Sequence, residues 1–117
     1  MEYTNHPLLQ NKSAYSLALF EHFVHVYQSL APVELHATKS MIAIRYQDRN
    51  IAWITDLGKN FLHVVFPFKR SYSYNLCFQK IAQVPGEAHQ FNHHLRVLYQ
   101  EDLNEEVVAY MKLTLSS

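Results

Sequence analysis

The hydrophobic period of the chain switches once from helical to extended and then keeps the extended period for most of the remaining length. Leu17, Phe20, Val24 and Tyr27 recur at steps of three and four, and Phe23 and Leu30 widen the stripe. This is one buried face of an amphipathic helix. Ser13 offers its N-cap. Pro32 disfavours helical geometry at Ala31 and ends it. Beyond Pro32 the period is two: Val33, Leu35 and Ala37 alternate with Glu34, His36 and Thr38, and Ile42, Ile44 and Tyr46 share one face while Ala43 and Arg45 take the other. A chain patterned in this way has to lay a sheet against its helix.

Turn chemistry divides the extended part into strands. Gln47-Asp48-Arg49-Asn50 is polar and suits a hairpin, and residues 51–55 form the next strand. Its alternation puts Trp53 on the face of Ile51, so Trp53 and Phe20 are expected to join sheet and helix in the core. Leu57-Gly58-Lys59-Asn60 is a second turn, with Gly58 available for a positive φ. Residues 61–68 are a strongly apolar strand, residues 69–76 the longest irregular segment, and residues 77–84 a short fifth strand before the turn at Pro85-Gly86. Residues 89–99 fit a strand (Phe91, His93, Leu95, Val97 and Tyr99 on one face) or a helix (Ala88, Phe91, Leu95 and Leu98). The alternation from His93 to Tyr99 favours the strand. Asp102 with Glu105 three residues on has the form of a capping box, opening a helix that carries Val107, Tyr110, Met111 and Leu115.

The expected fold is α+β: a two-layer sandwich with an N-terminal helix, an antiparallel meander of five or six strands and a C-terminal helix, both helices on one sheet face. Residues 1–12 are read as an N-terminal arm and residues 13–117 as a single α+β domain. A chain of 117 residues is one domain that buries about two-thirds of its unfolded surface and needs no metal or disulfide to fold.

Charge and composition exclude more than they assign. Lys plus Arg equal Asp plus Glu, so the chain is not broadly basic and nucleic acid is not an indicated partner. Cys77 is the only cysteine, which rules out an intrachain disulfide and a cysteine-rich zinc site; a lone cysteine of this kind reads as a small buried hydrophobe. No apolar run reaches the ~20 residues of a membrane span, and the first residues lack a signal peptide's basic start and apolar core, so a cytoplasmic location is expected. There is no nucleophile elbow, phosphate loop or dinucleotide fingerprint, and Glu34, Asp48 and Asp56 could work as acid and base only if the fold gathered them. No cofactor is indicated, and non-enzymatic function is the favoured reading.

Three groups carry what chemistry there is. His89, His93 and His94 could share an ion on a helix, but on a strand His89 and His93 lie ~13 Å apart at ~3.3 Å per residue, and His93 and His94 face opposite sides. The strand reading therefore makes His93 a core histidine with a hydrogen-bond partner, puts His94 on the exposed or cleft-lining face and leaves no metal site. Lys39, Arg45, His94 and Arg96, with Lys69 and Arg70, could converge on a phosphate or carboxylate. Tyr72 and Tyr74 sit beside Lys69 and Arg70 in the irregular segment, where function often resides. Two readings follow: a binding or interaction module using its open sheet face or residues 69–76, with a protein, a small anionic ligand or a second copy as partner; or an anion-binding or enzymatic site on Lys39, Arg45, His94 and Arg96.

The runs Val33-Glu34-Leu35-His36-Ala37-Thr38-Lys39-Ser40-Met41-Ile42-Ala43-Ile44 and Arg49-Asn50-Ile51-Ala52-Trp53-Ile54, with His93-His94-Leu95-Arg96-Val97 and Glu101-Asp102-Leu103-Asn104-Glu105-Glu106, resemble an uncharacterised bacterial domain family of about a hundred residues. Its members stand alone or end longer proteins loosely named predicted transport proteins. The resemblance spans most of residues 17–115, with Lys39, His93 or His94, and Asp102-Leu103 at its recurrent positions. It implies the fold and no activity. The helix–meander–helix order also looks like frataxin and the double-wing domains. Frataxin-type iron handling uses an acidic first helix, whereas here that helix carries only Glu21, with His22 and His25 beside it, which argues against iron delivery.

Overall fold

Side-chain caps and turn chemistry set the element boundaries in the computed structural model, which describes residues 6–116. Helix α1 (Ala14–Leu30) starts where the Ser13 hydroxyl accepts from the Ser16 N–H at 3.1 Å, and ends at Ala31, whose backbone is extended ahead of Pro32. Helix α2 (Glu105–Ser116) is capped by Asn104, whose Oδ1 accepts from the Val107 N–H at 3.0 Å. The expected cap, Asp102, is used otherwise. It lies in a 3-10 turn (Gln100–Asp102) and its carboxylate accepts from the Leu98 and Tyr99 N–H groups. Asn104 wins because it stands immediately before the first helical residue, three positions from the N–H it caps.

Between the helices run β1 (Glu34–Ala37), β2 (Ile42–Tyr46), β3 (Arg49–Leu57), β4 (Leu62–Phe68), β5 (Lys80–Gln83) and β6 (Phe91–Val97). They form the expected antiparallel meander sheet in the order β1-β2-β3-β4-β6-β5, with β6 inserted between β4 and β5, so residues 89–99 do contain a strand, and it pairs with both. Gln47 and Asp48 both have positive φ, 50° and 63°, between the paired Tyr46 and Arg49. That is the two-residue turn that matches sheet twist, and it starts β3 two residues earlier than the polar pattern suggests. Gly58 does not have the positive φ expected of it. Instead, a Cβ there would lie 1.9 Å from the Phe61 ring, so close packing, not backbone freedom, requires glycine.

Both helices cover one face. Leu19, Phe20, Phe23, Val24 and Tyr27 of α1, with Val107 and Met111 of α2, pack on Ile42, Ile44, Ile54, Leu62, Val64, Phe66 and Leu95. The Tyr27 hydroxyl and Thr114 Oγ1, 2.8 Å apart and buried, tie the helices together. The segment read as an arm is, over its described residues, part of this core: Leu8 and Leu9 are buried in a 3-10 turn (Pro7–Leu9), and Lys12 donates to the Leu57 carbonyl. Residues 1–5 of that arm lie outside the described residues. No helix among those described is long and apolar enough to cross a membrane.

Candidate functional site

Two irregularities in β3 decide what the uncovered face carries. Arg45 pairs with Asn50 and Ile44 with Ala52, so Ile51 is an extra residue bulged out of the ladder. The bulge reverses the alternation. Ile51, Ala52 and Ile54 all reach the core, and Trp53 is turned to the opposite face, half-buried and outside the core. The expected core position of Trp53 is thus corrected, while Phe20 is in the core as expected. A second irregularity between Ile54 and Asp56 puts Asp56 opposite His63.

Residues directly opposite one another in an antiparallel ladder share a face. One row therefore crosses all six strands on the open side: His36, Ala43, Trp53, Val65, His94 and Lys80. The adjacent row is Asp56, His63 and Arg96. His63 and His94 meet diagonally between the rows, with His63 Nε2 and His94 Nδ1 3.0 Å apart. One of these nitrogens carries the shared proton and donates to the other. Burial is the main cause holding both imidazoles below their ordinary pKa, aided at His63 by the charges of His94 and Arg96 against Asp56, and at His94 by Lys80. These causes favour the uncharged pair at neutral pH. The Arg96 guanidinium lies over the Phe61 ring, 4.4 Å from its centroid.

The sequence-selected residues fall into separate places. His94 and Arg96 lie together on the open face. Arg45 shares that face but is three strand spacings from β6, roughly 14 Å at ~4.8 Å each, and its Nε donates to Asn50 Oδ1. Lys39 is exposed in the β1–β2 connection. Lys69 lines a cavity of about 150 Å³ with Arg49, Asn50 and Thr114, and Arg70 stacks on Tyr72. Lys39, Arg45, His94 and Arg96 therefore do not surround one pocket. His63, Trp53 and Lys80, absent from the sequence-selected set, join His94 and Arg96 instead. His63 was readable, since it is out of phase with Leu62, Val64 and Phe66. Trp53 was not, because the bulge hides its phase.

The other candidates are spoken for by structure. His93 is fully buried: Nδ1 donates to the Phe91 carbonyl at 2.8 Å and Nε2 accepts from the Tyr72 N–H at 3.0 Å. Both nitrogens are engaged, so His93 cannot ligate with His89. Among the described residues no three or more His, Cys, Asp or Glu side chains could hold a metal ion. Residues 69–79 cross β6 on the helix side, where Tyr72 and Phe78 pack against His93 and Tyr110, while Tyr74 and Leu76 are exposed. Burial and the Glu106 carboxylate push the Cys77 thiol up to about 12, which keeps it protonated and unreactive. No family model matches the chain, and neither does any curated protein or solved structure.

Proposed function

We propose that this chain is a small cytoplasmic binding module, non-enzymatic, whose working surface is the uncovered face of the sheet. The observation that carries this reading is the Ile51 bulge, which takes the only tryptophan out of the core and sets it on the open face. Bulges re-aim side chains in this way at functional sites. Trp53 offers a flat ring for stacking, and His94 and Lys80 continue the same row with hydrogen-bonding and cationic groups. The one cysteine is held as an inert thiol. The chemistry present is recognition of an aromatic or anionic surface, whether a small ligand or a partner protein.

The test uses benzoate and phenyl phosphate as probes, followed by amide chemical shifts and by the fluorescence of Trp53. Shifts gathered on the row from His36 to Lys80, with quenching of Trp53, are expected. Shifts confined to residues 69–76 or to the helices, or no response to either probe, would overturn the reading.

A further inference from the structure

We infer that the His63–His94 pair, with Arg96 and Lys80, is a proton-linked site for a tetrahedral oxyanion such as phosphate or sulfate. This rests on the open face being the binding surface and assigns the chemistry of one part of it.

His63 and His94 stand between two cations contributed by cross-strand partners: Arg96 opposite His63, and Lys80 opposite His94. Asp56 opposite His63 is the only acid facing the pair in these two rows. Among the described residues no carboxylate forms an ion pair with Arg96 or Lys80. Phe61 holds the guanidinium by its face, which leaves the N–H edge for a ligand. Counted over these two rows with neutral imidazoles, the charge is one net positive, while Arg96 also borders a cavity lined by Asp102, Glu105 and Glu106. An oxyanion placed over the pair gains two cations and an imidazole N–H donor.

Protonation then couples to binding. The two rings share a single N–H···N bond, so one added proton is accommodated between them as N–H⁺···N. In the empty site the flanking cations and partial burial oppose that proton. A bound anion removes the opposition. By reciprocity, if the anion favours the proton, the proton favours the anion to the same degree. Affinity must therefore rise as pH falls from above the histidine range into it.

Sulfate is the decisive probe because its own charge does not change between pH 5.5 and 7.5. Its binding is followed by the amide shifts of residues 63, 80, 94 and 96, against chloride at equal ionic strength. Affinity is expected to be about tenfold higher at pH 5.5 than at 7.5, given one linked proton. Calorimetry in two buffers of different ionisation enthalpy should then count proton uptake on binding. His94→Gln is expected to abolish the pH dependence, and Arg96→Gln to weaken binding at both pH values. Equal affinity at both pH values, or a pH dependence that survives both His94→Gln and His63→Gln, would overturn the inference. If benzoate and phenyl phosphate bind along the Trp53 row while sulfate does not bind, this inference fails and the open-face reading stands. If none binds, both fail.

Discussion

His93 and His94 are neighbours in β6, yet one is sealed on the helix side beneath residues 69–79 and the other lies on the bare side of the sheet. His93 packs against Phe68 and Phe78, and its two hydrogen bonds fix one neutral tautomer: Nδ1 donates to Phe91 and Nε2 accepts from Tyr72. A second proton on His93 would set an N–H against the Tyr72 N–H. His94 has a softer constraint, a single bond to another imidazole that either ring can donate. The same residue type therefore serves as a structural clamp on one face and as one half of an imidazole pair on the other. The difference arises from what covers each face. Side chains under α1 and α2 are judged by packing and by satisfied polar atoms, those on the other side by what they can reach in solvent.

The widest gap between the faces should appear in their large aromatics. Phe23 is fully buried and stacks edge-on against Tyr27, with Phe66 also in contact. Phe23→Ala should cost ~3–5 kcal/mol in urea unfolding. Trp53→Ala should cost about 1 kcal/mol, since only part of the ring leaves solvent. A Trp53→Ala loss equal to that of Phe23→Ala would break the comparison and return Trp53 to the core. The adjacent histidines come next. His93→Phe keeps a ring but leaves the Tyr72 N–H and Phe91 carbonyl without their partner, at ~1–3 kcal/mol. His94→Gln should stay within about 0.5 kcal/mol of the parent. Equal losses at both positions would mean that the open face is as structurally committed as the core.

The pH term tests the half-buried and buried imidazoles together. Burial holds His93, His63 and His94 below the ordinary histidine value of 6.5 in the folded chain. Above that value both folded and unfolded chains leave these imidazoles neutral, and stability is full. Below it the unfolded chain binds protons that the folded chain resists, so stability falls as pH drops. Urea unfolding at pH 5.5 and 7.5 should show this decline, and His93→Phe should make it shallower. A decline of unchanged slope in His93→Phe would remove His93 from the account.

Much of the fold was legible because it depends on local chemistry. The stripe from Leu17 to Tyr27, Ser13 and Pro32 specify α1 through side-chain period, a hydroxyl cap and a ring that bars the helical state. The alternation from His93 to Val97 assigned the two histidines to opposite faces correctly, because successive strand residues point to opposite sides. The Asn104 cap and the role of Gly58 were less legible, since Asp102 matched a cap pattern equally well and the Phe61 ring that needs Gly58 bare is seen only in three dimensions.

What the sequence determined by itself was the list of elements, their phases where no residue is inserted, and one uncovered sheet face. Tertiary structure alone decided which groups meet on that face. The reason is physical: hydrogen-bond register joins β4 to β6 and β6 to β5, bringing His63 and Lys80 to His94 and Arg96 from other strands. The Ile51 bulge, one extra residue accommodated by the ladder, then turns Trp53 outward against its own local alternation. No periodicity in a single strand contains that information, because register belongs to the pair of strands.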